Sequence, residues 1–141
     1  MNNVSEIASI RRLLKSAWTP FFTRFGKLTP IQICAIPKVL NGRNIVIASP
    51  TASGKTEAVM APLAEQFLSK QWNGLAILYV VPTRALANDT IMRIEGPLRD
   101  MGITAVLKHG DKPKLSTKLP NCLITTPESL DSLICRRPKL F

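Results

Sequence analysis

The spacing of apolar positions changes near residue 44. Before it, apolar residues recur three and four apart: Ile7, Ile10, Leu13 and Leu14 share one face of a helix, with Ser5 placed to cap it and Trp18 and Pro20 placed to end it. The aromatic stretch PFFTRFG leads to Thr29, where threonine followed by proline opens a second helix, TPIQICAI. Pro37 cannot donate to that ladder, so PKVLNGR reads as a separate turn or two of helix, closed by Asn41 and Gly42.

After residue 44 short β-branched runs alternate with helical ones. NIVIAS reads as a buried strand, KTEAVMAPLAEQFLSK as a helix and LAILYVV as a second buried strand. TRALANDTIMRIEGPLRDMG reads as a helix interrupted near Gly96 and Pro97. ITAVLKHG and NCLITT give a third and a fourth strand, with GDKPKLSTKLP as the loop between them, and PESLDSLICRR closes as a helix. Strands alternating with helices imply right-handed βαβ units. The expected fold is α/β, a parallel sheet with helices on both faces. No apolar run approaches the ~18 residues of a membrane span. The N-terminus mixes Glu6, Arg11, Arg12 and Lys15 into its apolar positions and lacks a signal-peptide core. A cytoplasmic protein with no membrane partner is the expectation.

Composition adds a sign to this picture. The 141 residues are 45% hydrophobic, enough for a domain with a core, and 19 Lys and Arg against 9 Asp and Glu give a net charge of +10. That balance suits a polyanion and weakens any acidic partner, with a solvated basic surface as the plain alternative. Cys34, Cys122 and Cys135 form no CxxC pair and lie in apolar runs, so all three read as buried thiols of a reducing compartment.

One stretch carries recognisable chemistry. ASPTASGKT lies between the strand NIVIAS and a helix, where free N–H groups and the helix dipole favour phosphate. Ser49, Pro50, Thr51, Ala52, Ser53 and Gly54 would wrap a triphosphate, Lys55 would reach its β and γ phosphates, and the Thr56 hydroxyl would sit on Mg²⁺. The expected cofactors are ATP and Mg²⁺. Ser49 stands where the GxxxxGK[ST] pattern opens with glycine, and Ala52 sits mid-loop. Both are small enough to let backbone approach phosphate, unless either position requires a positive φ. The alternative is a Gly-Lys-Thr that merely starts a helix.

The loop does not stand alone. It is preceded by LTPIQICAIPKVLNGR and followed by PTRALAND (Pro82 to Asp89), HGD (His109 to Asp111) and TTPESL (Thr125 to Leu130). In that order the segments resemble the Q motif, motif I, motif Ia, a short Gly-containing turn and motif Ib of superfamily two helicases, the DEAD-box and DExH proteins. The wording PTASGKTEA and PTRALAND is similar to the Lhr and Ski-like groups, and the likeness covers roughly residues 18 to 137. It implies a P-loop NTPase (RecA-like) domain over residues 29–141, with 1–28 a helical lead-in, belonging to an ATP-dependent RNA or DNA helicase.

By the same resemblance Gln32 would read adenine, since its amide both donates and accepts; a solvent-facing helix glutamine is the alternative. Trp18 or Phe22 could stack on the base, while Phe21, Phe22 and Phe25 otherwise read as core-facing or packed at the nucleotide end. Pro82, Thr83, Arg84, Gly110, Thr126, Pro127 and Glu128 would contact single-stranded or duplex nucleic acid through its backbone, blind to sequence. Thr83 and Thr126 each end a strand and open a helix, so capping alone also explains them. His109 reads as a polar residue beside a loop, with no carboxylate partner at a recognisable spacing.

The resemblance also implies what should follow. The family's Asp-Glu-x-Asp/His motif lies on the strand after motif Ib, and a second RecA-like domain completes the site; Phe141 precedes both. The expectation is an incomplete domain in which NIVIAS lacks a strand neighbour and which, alone, binds ATP and nucleic acid without turnover. A non-enzymatic binding module is the alternative reading. A small-substrate kinase is poorly supported, lacking a lid or acceptor signature.

Overall fold

The computed structural model describes residues 3–110 and 119–140, and the chain divides into two compact units, Met1–Gln71 and Trp72–Phe141. The loop GDKPKLSTKLP, Asp111 included, falls mostly outside the described residues.

The first unit is helical: α1 (Asn3–Leu13), α2 (Trp18–Phe22), a 3-10 turn (Thr23–Phe25), α3 (Pro30–Leu40) and α4 (Lys55–Ser69). Helix α1 starts before Ser5, so Ser5 does not cap it; the Ser5 carbonyl instead accepts from Ser9 Oγ at 2.9 Å. Trp18 and Pro20 form α2 rather than ending α1. Pro20 lies in the first turn of α2, where a missing N–H breaks no intrahelical bond. The corner between α1 and α2 is held by Glu65 of α4. Its buried Oε2 accepts from the N–H groups of Ser16 and Ala17 at 2.8 and 2.9 Å.

Thr29 opens α3 through a reciprocal box: its Oγ1 accepts from the Gln32 N–H at 3.4 Å, and Gln32 Oε1 accepts from the Thr29 N–H at 2.9 Å. The helix then runs unbroken through Pro37, against expectation. Ala35, Ile36 and Val39 are buried on either side of the proline, and Gln66 Nε2 donates to the last carbonyls, Val39 O at 3.0 Å and Leu40 O at 2.7 Å. Packing and this external cap offset the one bond that proline removes.

NIVIAS forms no strand. No described strand pairs with it, and Val46 is 97% exposed. An apolar run supplies a face, but a strand exists only through its ladder.

Among the described residues the second unit is a parallel sheet of three strands, not four: β1 (Ile77–Val80), β2 (Ala105–Lys108) and β3 (Cys122–Thr125), in the order β1-β3-β2. All four side chains of β3 are fully buried, and side chains alternate along a strand, so both faces of the central strand are covered. On one face Leu123 packs with Leu133, Leu75 and Val106. Helix α5 (Arg84–Asp100) packs on β2 and β3, and α6 (Pro127–Arg136), followed by a 3-10 turn (Pro138–Leu140), brings Leu133. Strand β1 is an edge whose Leu78 and Val80 are 42% and 43% exposed, so LAILYVV is half-buried rather than buried.

Helix α5 runs unbroken through Gly96 and Pro97. Its stripe Ala87, Thr90, Ile94 and Leu98 is buried across the proline, so core packing overrides the local stop signal. Asn121 ties the strand heads together: its carbonyl accepts from Ala76 and Ile77, its Oδ1 accepts from the Thr104 N–H at 2.9 Å, and its Nδ2 donates to Gly74 O at 3.2 Å.

Only Cys122 is a buried thiol. Cys34 and Cys135 are exposed, because the helices that carry them turn those positions outward. Burial pushes the Cys122 thiol up from 9.0 to about 12. Among the described residues no helix is long and apolar enough to cross a membrane.

Candidate nucleotide and nucleic-acid sites

Within the first unit the loop Ser49 to Gly54 leads directly into α4. Gly54 has φ 87°, a left-handed conformation, and a Cβ placed there would collide with Gln32 Nε2 and lie 3.1 Å from Gln32 Cδ. Glycine is therefore required twice, by backbone and by neighbour. Gln32 is buried, with its Oε1 committed to Thr29 and its Nε2 donating to Gly54 O at 3.3 Å. Thr29 Oγ1 donates to Ser53 O at 2.9 Å. The N-terminus of α3 thus braces the end of the loop, and the reading of Gln32 as a solvent-facing residue does not hold.

Ala52 has φ 58°, so its position does require the left-handed region, and alanine there carries strain of about 1 kcal/mol. Ala52 thus meets the exception stated for a position that requires a positive φ. Ser49, in place of the usual glycine, shares a hydrogen bond with Ser53 across the loop, Oγ to Oγ 2.6 Å. Lys55 Nζ donates to Ser49 O at 2.8 Å and to Pro50 O at 2.6 Å. Pro50 and Thr51 are exposed, and Thr56 is half-buried in the first turn of α4.

This donor set fits a nucleotide phosphate. Gly54, Lys55 and Thr56 stand at the N-terminus of a 15-residue helix, whose partial positive charge favours an anion, and Gly54 offers no side chain to cap it. Phe22 is fully buried with Phe21 and cannot stack on a base, a consequence of its place on the inner face of α2. Trp18 is engaged by Arg11 at 5.6 Å and by the Phe22 ring at 5.6 Å. The aromatic left half-exposed is Phe25, with Arg24 over its ring at 4.5 Å. Its exposure distinguishes it from Phe21 and Phe22; the sequence pattern did not.

Within the second unit Pro82, Arg84, Gly110, Thr126 and Glu128 converge on one cavity of about 810 Å³. Thr83 and Pro127 are not among its lining residues; Thr83 caps α5, its Oγ1 accepting from the Leu86 N–H at 3.2 Å, and Pro127 is the first residue of α6. Thr126 opens α6 but its side chain makes no cap bond, so the expectation that both threonines cap holds for Thr83 alone. The residue is buried, and it lines the cavity.

Gly110 lies against Arg84: a Cβ there would lie 2.8 Å from Arg84 Nη2, the flexible end of that side chain. Lys108 lines the cavity too, its Nζ donating to His109 O at 3.1 Å. His109 is buried, with neither ring nitrogen hydrogen-bonded among the described residues. The remaining wall comes from α6: Ser129, Ser132, Leu133 and Arg136, then Arg137 just past its end. Apart from Ser129, within TTPESL, none of these belongs to a motif, though Ser129, Ser132 and Arg136 share one helix face by spacing. The cavity wall thus presents four cations and one carboxylate, an arrangement suited to a phosphate backbone.

Comparison with known proteins adds the family. Residues 29–141 match the model of the DEAD/DEAH box helicases. The chain is 39% identical over 132 residues to the ATP-dependent helicase Lhr-Core protein 2 of Thermococcus barophilus, covering 78% of this chain and 15% of that protein. It is 33% identical over 125 residues to the ATP-dependent RNA helicase DBP3 of Meyerozyma guilliermondii, covering 86% and 23%. Among solved structures, the ADP-bound RNA helicase Prp28 of Chaetomium thermophilum superposes with a TM-score of 0.74 at 27% identity, covering 90% of this chain and 33% of that one. The Mycobacterium smegmatis helicase Lhr bound to ssDNA and AMP-PNP superposes with a TM-score of 0.70 at 31% identity, covering 84% and 17%. The chain therefore spans at most about a quarter of the length of these curated relatives. With the motifs in order, the parallel sheet and the family match over most of its length, the chain belongs to the DEAD/DEAH box helicases, as part of their first RecA-like domain.

Proposed function

We propose that this chain binds ATP with Mg²⁺ at the loop before α4 and a nucleic-acid backbone at the cavity beside α6, as the first motor domain of an ATP-dependent helicase. The observation that carries the nucleotide half is the left-handed Gly54 braced by Gln32, with Lys55 and Thr56 following it at the start of α4. Bound ATP and Mg²⁺ would supply the phosphoanhydride whose hydrolysis powers a helicase. Lys55 would exchange the carbonyls of Ser49 and Pro50 for phosphate oxygens, and Thr56 would hold the metal. Gln32 keeps one Nε2 hydrogen beyond the bond to Gly54 for an adenine nitrogen, and Phe25 offers the exposed ring. The nucleic-acid half rests on the cation-lined cavity, supported by the ssDNA-bound relative. Contacts to phosphate carry no base identity, so binding should be independent of sequence and weaken steeply with salt.

Equilibrium binding of ATP to the wild type and to Lys55→Ala tests the loop. The variant is expected to lose at least about a hundredfold in affinity, given several charge-assisted bonds to phosphate. Undiminished ATP affinity in the variant removes the phosphate-loop assignment. Hydrolysis measured beside it, with and without oligonucleotide, separates a motor from a binding module: turnover stimulated by the strand indicates the first, binding without turnover the second.

A further inference from the structure

We infer that α6 acts as a rail for the nucleic-acid strand, holding the backbone at two separate phosphates, one beside its first turn and one at Arg136 and Arg137. The inference rests on the nucleic-acid reading above and adds to it a second contact point and a minimum length of strand. Both ends of the helix line the same cavity, Glu128 and Ser129 at the start and Arg136 and Arg137 at the finish. Ser129, Ser132 and Arg136 are spaced three and four apart, so the wall between the ends is one polar helix face.

Residues 128 and 136 are separated by about 12 Å along the axis, so the helix start and the two arginines at its end offer donors at separate places along a strand. A purely structural reading of Arg136 exists, since a cation in the last turn complements the helix dipole. That reading does not account for Arg137, which lies beyond the helix and lines the same cavity. Among the described residues neither Arg136 nor Arg137 is paired with a carboxylate. The serine hydroxyls of the intervening face can donate to the same backbone.

The test is a length series. Fluorescein-labelled oligothymidylates of increasing length, or oligouridylates if the chain prefers ribose, are titrated against wild type, R136A/R137A, R136K/R137K, R84A and R11A/R12A at several salt concentrations. In the wild type affinity should step up once the strand spans the helix. In R136A/R137A that step should disappear, with about a tenfold loss on long strands, little loss on the shortest strands that bind, and a salt slope smaller by about 1.4. R136K/R137K should recover most of the step, and an unchanged melting curve shows that the fold is intact. R11A/R12A removes the same charge away from the cavity and should cost much less. An equal loss at every length, an unchanged slope, or an equal loss in R11A/R12A overturns the rail. If R84A weakens binding and the arginine pair does not, only the rail fails; if R84A also has no effect, the cavity is not the nucleic-acid site.

Discussion

Thr83 and Thr126 hold the same place in two turns of one parallel sheet, each leaving a strand and opening a helix, yet their hydroxyls are spent differently. Thr83 is exposed and gives its Oγ1 to the Leu86 N–H, closing the start of α5 on itself. Thr126 is buried and gives nothing to α6. A side-chain cap stabilises a helix by about 1 kcal/mol, and α6 forgoes it at the end that lines the cavity. Gly54 makes the same concession at α4. The helix starts proposed to meet phosphate are those without a side-chain cap, where two or three charge-assisted bonds from a ligand can return more than the cap would supply. A threonine before a helix is thus ambiguous as a motif; whether its hydroxyl caps the helix is what separates these two starts.

The largest expected effect strikes the uncapped start at α4. Gly54→Ala forces a left-handed alanine against buried Gln32 and should lower stability by about 2 kcal/mol or more in urea, with loss of ATP binding. A stable, nucleotide-binding variant would break the link between that start and the ligand. The strand that presents Thr126 is dry along its length, which can be checked through Cys122. Its raised pKa leaves stability unaffected below about pH 9, where the thiol is protonated both folded and unfolded. Between about 9 and 12 the unfolded chain loses the proton first, so stability falls by at most about 1.4 kcal/mol per pH unit. Urea melts of the wild type and Cys122→Ala across that range should show the slope only in the former.

The two threonines themselves come next. Thr83→Ala should cost about 1 kcal/mol of stability and leave nucleic-acid affinity within about twofold, whereas Thr126→Ala removes no cap and should cost less than half of that from capping. Equal costs would erase the comparison. The smallest effect belongs to Ala52→Gly, which relieves left-handed strain but loosens the unfolded chain; a net gain of about 0.5 kcal/mol is expected by thermal denaturation.

What the sequence disclosed follows the same division between local and non-local causes. NCLITT and NIVIAS share an apolar, β-branched pattern, yet one is the central strand and the other has no ladder, because pairing depends on residues distant in the chain. Pro20, Pro37 and Pro97 all read as stops. Each lies inside a helix, because a first turn forgives the missing N–H and buried stripes on either side hold the others in register. The candidate loop was legible as a motif, since strand-like run, Gly-Lys-Thr and helix are contiguous. The brace from Gln32 to Gly54 was not, because it joins residues 22 apart through a buried amide. The rear wall of the cavity escaped for another reason: Ser132, Arg136 and Arg137 look like any solvated helix face until the sheet brings Arg84 and Lys108 around to meet them.

The carboxylate of Glu65 sets a practical limit on shortening the protein. The family match begins at Thr29, and an expression boundary drawn there would seem natural. It would remove Ser16 and Ala17, whose N–H groups occupy Oε2, and with them the buried Leu14, Phe21 and Phe22. The lead-in is therefore part of the folding unit: a trimmed version keeps every recognised motif and loses part of the unit's core and the donors that engage Glu65 of α4.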